Sequence, residues 1–242
     1  MIQLYGLRMS NYYSLTKALL IEKGVEFEEV KAPPTQEEDN LARTPMGKMP
    51  SIGVDGQYLS ESLAIAAYLD RIAPEPALLP SDPFAAAKVI ELVCHLKLDV
   101  ELVARRCLPQ LLFKKPVSDE TRETTRADLV KGMAALERIF IGAPYAAGDS
   151  ITLADFYTFY TFGLAETIGK AVLDMDLLAD HPRIQGVMNS MAEHPSIARV
   201  EAEKAAAPKT AKAEVKAEVK PATTDLSGKT VAELKDLAKQ KN

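Results

Sequence analysis

Residues 49–72 read MPSIGVDGQYLSESLAIAAYLDRI. Ser51 to Val54 form a short strand, and 57–59 form a second. Asp55-Gly56 between them is a hairpin turn, because a two-residue loop that follows the twist of its strands needs φ > 0 at both positions, and Asp and Gly tolerate that best. Ser60, Glu61 and Ser62 then open a helix, where short polar side chains meet the unpaired N–H groups of a first turn. The helix runs to about residue 73, with Leu63 and Ala67, joined by Ile65 and Leu69, on its buried side. Pro74 and Pro76 stop it, since proline lacks the N–H that a further turn requires.

Upstream, residues 2–7 (IQLYGL) predict a short buried strand. Residues 12–23 predict a helix with Leu15 and Leu19 on one face and Gly24 as its terminator. Residues 26–30 (EFEEV) alternate as a second strand. Residues 31–46 are polar and carry Pro33, Pro34 and Pro45, so they form a loop holding a helical turn or two at most. The order is therefore β-α-β, loop, β-β-α on one small sheet, an α/β layer arrangement that resembles a thioredoxin-like domain over 1–76.

Downstream, PEPALLPSDP (74–83) is a proline-rich linker, and everything after it has a helical pattern. Residues 84–106 predict one long amphipathic helix. Ser118 caps another that runs to about residue 140. Gly142, Pro144 and Gly148 break the chain before Thr152 opens a third, and Pro182 and Pro195 each suit the first position of a short helix. An all-helical domain over 84–204 follows. From 205 the composition shifts: PKTAKAEVKAEVKPATT (208–224) repeats AEVK in tandem and has no large apolar face, which predicts a disordered linker over 205–242. Val231, Leu234, Leu237 and Ala238 space a short helix at its end.

Composition narrows the function classes. Hydrophobic residues make up 47% of the 242 and charged residues 26%, enough for a sizeable core in a soluble protein. No run approaches the roughly 20 apolar residues that span a bilayer. The start, MIQLYGLRMSNYY, shows no secretory pattern, so the expected location is the cytoplasm with no membrane partner. The net charge is −5, yet residues 201–242 hold nine Lys against seven acidic residues, so the body is more acidic than the whole. An acidic body does not suggest a nucleic-acid surface. Cys94 and Cys107 are too few and too distant for a disulfide framework, and His95, His181 and His194 stand singly, with no metal-ligand spacing.

Residues 49–69 resemble the glutathione-site segment of the cytosolic glutathione transferases: a proline ahead of a strand, Asp-Gly, a hydrophobic residue, then E-S-x-A-I-x-x-Y-L. The resemblance covers roughly residues 2–200 and implies glutathione as co-substrate, no other cofactor, a small electrophile and a homodimer. It implies that Pro50 is cis and turns the Met49 backbone toward the cysteinyl part of glutathione, in a strand-like pairing. Lys48 would meet the glycine carboxylate, and Glu61 the γ-glutamyl ammonium. Ser62, at a helix start where free donors and the dipole favour an anion, would hold the γ-glutamyl carboxylate. AAGDSITLADFYTF (146–159) is similar to the family's capping segment, with Thr152 and Asp155 exchanging bonds in a folding role.

The catalytic group should follow the first strand, where the chain reads Met9-Ser10-Asn11-Tyr12-Tyr13-Ser14. In serine-type members of the family the active hydroxyl falls six residues after the strand Leu of an L-Y pair, and Leu4 leads to Ser10. A hydroxyl donor at a helix N-terminus stabilises thiolate over thiol, and the thiolate is the nucleophile. Asn11 is the alternative sulfur contact through its amide. Tyr5 loosely matches the tyrosine of other classes, and Tyr12 or Tyr13 would line the substrate side. No cysteine lies near position 10, which disfavours disulfide exchange, and the S-S-C-S run of the family's maleylacetoacetate isomerases is absent. For the electrophile the candidates are Tyr12, Arg105, Arg106, Leu108, Leu112 and Phe113. The family also implies a second reading, a non-catalytic binding or regulatory module. LSGKTVAELKDLAKQK (226–241) is similar to the first helix of SAP-like or Rho-N-like modules, which leaves docking of nucleic acid or protein by residues 225–242 as a further expectation.

Overall fold

The structure, a computed structural model, describes residues 1–206, so the linker, terminal helix and docking expected beyond residue 206 lie outside the described residues. The chain begins β1 (Ile2–Gly6), α1 (Asn11–Glu22), β2 (Phe27–Lys31), α2 (Glu38–Leu41), β3 (Ser51–Val54), β4 (Gln57–Ser60) and α3 (Ser62–Ile72). The sheet order is β2-β1-β3-β4. β1 runs parallel to β2 and antiparallel to β3, and β3 and β4 form the hairpin. Its turn has Asp55 at φ 48° and Gly56 at φ 79°, the two positive angles expected of Asp-Gly.

Leu4 and Ile52 from the sheet pack with Leu15 and Leu19 of α1 and with Ile65 and Leu69 of α3. The buried stripe of α3 is Ser62, Ile65, Ala66 and Leu69. Leu63 is only half-buried and Ala67 is exposed, contrary to the sequence reading. The stripe follows from Ser62 being turned inward, which rotates the whole i, i+3, i+4, i+7 face with it.

The helical part starts with α4 (Pro83–Cys94), capped by Asp82, whose carboxylate accepts from the Ala85 N–H at 2.7 Å. The expected single helix to residue 106 is helical but not α throughout. His95–Glu101 wind as a π turn, α5 (Leu102–Ala104) resumes, Arg105–Cys107 tighten into a 3-10 turn, and α6 (Leu108–Phe113) ends the rod. Apolar periodicity does not separate these windings, because all three keep a buried side. Close packing accompanies the π turn: a Cβ on Gly132 would lie 2.3 Å from the Asp99 carbonyl.

α7 (Asp119–Ile139) starts at a Ser118 cap, and α8 (Leu153–Ile168) at the expected capping box. A second π turn (Gly169–Leu173), α9 (Pro182–Glu193) and α10 (Pro195–Ala206) complete the described chain. α8 is the central post of the helical part, with Phe156, Tyr157 and Phe162 buried. One apolar core runs from Leu4 in the sheet through Leu96 to Phe156 and Ile197. Cys94 and Cys107 are free thiols. Among the described residues no helix is long and apolar enough to cross a membrane.

Candidate active site

The register of the sheet brings the predicted segments to one end. Tyr5 pairs with Ser51, and Ser51 pairs with Ser60, so the end of β1, the start of β3 and the end of β4 lie in one row. The residues just outside that row are 7–10, Met49-Pro50 and Glu61-Ser62. Gly6 allows the close approach there. At φ +152° a Cβ would fall 2.5 Å from the Tyr13 ring and 3.4 Å from the Met49 Cβ.

Three features of this end suit an extended, doubly charged peptide. The Met49-Pro50 bond is cis. Outside the strand, Met49 has no backbone hydrogen-bond partner among the described residues. α3 begins without a side-chain cap, its N-cap being Glu61, which makes no cap bond; α2 and α9 are uncapped as well, whereas α1, α4, α7 and α8 are each capped by a Ser, Asp or Thr side chain. The N–H groups of α3's first turn therefore remain available to an anion. Glu61 also sits at φ 69°, ψ 116°, a strained backbone for a residue with a Cβ. Ser62 is buried, and its Oγ accepts from the Tyr157 hydroxyl of α8 at 3.3 Å. Lys48 and Glu61 are exposed, with no side-chain partner among the described residues.

Ser10 is the N-cap of α1. Its Oγ accepts from the Tyr13 N–H at a long 3.4 Å, and its own hydroxyl hydrogen has no protein acceptor among the described residues. Capping and donation use different parts of one hydroxyl, so the two roles are compatible. The rivals are engaged. Asn11 Nδ2 donates to the Tyr160 carbonyl at 2.6 Å and to Glu101 Oε1 at 3.3 Å. Tyr5 donates to Gln3 at 2.8 Å, edge-on to Tyr58 on the outer sheet face. Tyr13 donates to Glu29 at 2.6 Å.

Tyr12 and Arg105 are brought together, and Arg106 is not. The Arg105 guanidinium lies 4.7 Å from the Tyr12 ring centroid, while Arg106 turns away to Asp128 of α7 at 2.6 Å. Neighbours in a 3-10 turn point about a third of a turn apart, which separates them. Phe113 ends α6 half-exposed, with Leu112 exposed beside it.

Sequence reasoning missed the groups around Tyr12. Glu101 is fully buried and takes ion pairs from Lys97 and from Arg105, the latter at 2.8 Å, as well as bonds from Asn11 and Thr161. Lys97 Nζ lies 4.1 Å from the Tyr12 ring centroid and 5.4 Å from that of Tyr157. Burial pulls the Lys97 ammonium below the ordinary lysine range, opposed by Glu101. Burial also raises the Tyr12 and Tyr157 hydroxyls far above theirs, so both stay neutral donors. The i, i+4 spacing of Lys97, Glu101 and Arg105 was the available signal, but on a helix it reads as a solvated charge ladder. Among the described residues no group of His, Cys, Asp and Glu is arranged to hold a metal ion.

Sheet and helical post together define a thioredoxin-like domain joined to a helical bundle. Residues 4–77 match the family described as glutathione S-transferase, N-terminal domain, and residues 106–204 match glutathione S-transferase, C-terminal domain. A glutathione S-transferase of Pseudomonas putida is 41% identical over 191 residues, covering 79% of this chain and 87% of that protein. A maleylacetoacetate isomerase of Pseudomonas aeruginosa is 32% identical over 152 residues, 59% of this chain and 71% of that one. Among solved structures, a bacterial zeta-class maleyl pyruvate isomerase superposes with a TM-score of 0.67 at 24% identity, covering 82% and 95% of the two chains, and poplar glutathione transferase F1 with 0.73 at 19%, covering 85% and 99%. The chain belongs to the glutathione S-transferase family, and it is a glutathione transferase enzyme.

Proposed function

We propose that glutathione lies along the end of the sheet, from Lys48 and Met49 to Glu61 and Ser62, and that Ser10 donates to its sulfur. The observation that carries this reading is the uncapped first turn of α3 in register with a free hydroxyl donor at the N-terminus of α1. The γ-glutamyl carboxylate meets the α3 N–H groups and the Ser62 hydroxyl. Glu61 accepts from the γ-glutamyl ammonium, and the Met49 backbone pairs with the cysteinyl unit. Lys48 faces the glycine carboxylate. The Ser10 hydrogen bond and the α1 dipole favour thiolate over thiol, whose free pKa is about 8.5.

The thiolate then attacks a small electrophile. With an aryl halide a C–S bond forms and halide leaves; with a hydroperoxide the sulfur displaces alcohol and a second glutathione completes the reduction. Tyr12 and Arg105 border the electrophile's side of the cleft. The S-S-C-S run that the resemblance associates with isomerisation is absent at positions 9–12, which read Met-Ser-Asn-Tyr, so conjugation or peroxide reduction is the reading adopted. The protein acts without a further cofactor, in the cytoplasm, as a homodimer for which exposed Phe84, Leu98 and Leu102 offer an apolar strip.

Calorimetric titration with glutathione, paired with turnover of an aryl halide and a hydroperoxide, tests the proposal. Binding with turnover is the expected result. Absence of binding overturns it, and binding without turnover of either substrate favours the non-catalytic module.

A further inference from the structure

Two cations share one carboxylate beside the proposed thiol site. Lys97 and Arg105 both pair with Glu101, which leaves the buried cluster with one positive charge in excess. The groups in direct contact with it do not neutralise it. Tyr12 faces it from α1, and Tyr157 and Thr161 from α8, with Asn11 donating to the same carboxylate; these groups are all uncharged. Glu61, an exposed carboxylate, acts on the Tyr12 hydroxyl from outside the cluster. A cluster kept only for stability would gain little here, since buried ion pairs are often matched by apolar residues of the same volume. An unbalanced charge in a low-dielectric setting acts over a longer range than a surface charge.

The position of that excess charge is informative. The Lys97 ammonium sits between two aromatic rings. Tyr12 is two residues from Ser10, the proposed sulfur contact. Tyr157 donates to Ser62, the proposed carboxylate contact. The charge thus stands behind both ends of the proposed glutathione site and touches neither.

We propose that Lys97, Glu101 and Arg105 form a positioning cluster whose excess positive charge, held behind Tyr12 and Tyr157, favours the ionised sulfur of glutathione at Ser10. Lys97 is a positioning residue rather than a catalytic one. Its effect passes through the field and through the Tyr12 ring that it fixes.

The inference rests on glutathione binding as proposed above, and its test is the ultraviolet thiolate band of the full chain saturated with glutathione, titrated from about pH 5 to about pH 10. Lys97→Met removes the excess charge and should raise the apparent pKa of the bound thiol by on the order of one unit, the effect of a unit charge across roughly 10 Å at an effective dielectric of about 20. Glu101→Gln adds a net positive charge and should shift it downward. Lys97→Arg should keep the wild-type value. A structural role would move the first two variants in the same direction. Shifts of one sign in both, or no shift in either, overturn the proposal. Arg105→Gln makes the same charge change as Lys97→Met and serves if that variant does not fold. Failure of the underlying reading has a different signature: wild-type protein that takes up no glutathione by calorimetry.

Discussion

Ser62 combines a packing role with the proposed recognition of glutathione. Its side chain is turned into the domain contact, where Tyr157 reaches it, while its N–H belongs to the uncapped turn of α3. Removing the hydroxyl should weaken glutathione binding without emptying the site, because the backbone donors stay. Ser62→Ala is expected to raise the Kd about tenfold, the worth of one hydrogen bond to a charged group, with kcat much less affected; calorimetry and steady-state kinetics check the split. At this scale the sequence was legible where a residue's role depends on its own backbone. Asp55 and Gly56 take positive φ, and Ser10 caps α1. It was illegible where the role depends on a partner far along the chain. Asn11 reads as the alternative to Ser10, but its amide is bonded to Tyr160 and Glu101, 149 and 90 residues away.

Among the elements, α8 shows how a local motif fixes a long-range geometry. Asp155 is fully buried, and its carboxylate accepts from the Ala146 N–H at 2.7 Å, the Thr152 N–H at 2.8 Å and the Thr152 hydroxyl at 3.1 Å. The box thereby ties the loop before α8 to its first turn. Asp155→Ala leaves these donors buried and unpaired and should cost about 2–4 kcal/mol of stability, measured by denaturant unfolding. The glutathione Kd of the folded fraction should change little. Thr-x-x-Asp announced this cap because its chemistry is local. The rod from Pro83 to Phe113 was half legible: its helicity followed from periodicity, its π turn did not. That turn comes close to α7 where Gly132 faces the Asp99 carbonyl, a contact no window of sequence contains. The Lys97–Glu101–Arg105 ladder was visible in its i, i+4 spacing, but its burial against α1 and α8 was not.

Over the whole molecule, a charged clasp joins the sheet to the last described helix. Lys17 of α1 is buried and pairs with Glu29 of β2 and with Glu203 of α10, while Arg8 and Tyr13 also donate to Glu29. Burial alone would raise the Glu29 carboxyl, but the bonds from Arg8, Lys17 and Tyr13 outweigh it and lower it from 4.5 to about 2. A depressed carboxylate pKa stabilises the fold fully above the unfolded value, and that contribution is lost as the pH falls from about 4.5 toward 2. Glu29→Gln should lower stability at neutral pH by on the order of 1 kcal/mol, a figure reduced because the carboxylate keeps some contact with water. It should also flatten the loss of stability over that acid window, read from melting temperatures. Ending the chain at Ala206 should leave glutathione affinity and turnover unchanged, because every residue of the proposed site lies within residues 1–206; kinetics of the truncated protein checks this. The domain order was legible from punctuation, with the proline-rich stretch at 74–83 parting a hairpin pattern from a helical one.

The central claim is that glutathione bound at the end of the sheet is activated by Ser10. Its most direct test is turnover of an aryl halide by Ser10→Ala and by Asn11→Ala, each with the glutathione Kd measured on the same preparation. The account predicts that Ser10→Ala loses roughly 10²–10³-fold in kcat while its Kd stays within a few-fold of wild type, as expected for a donor aimed at developing or resident negative charge. Asn11→Ala should retain the larger part of its kcat. Wild-type turnover by Ser10→Ala, or a collapse in Asn11→Ala alone, would contradict it.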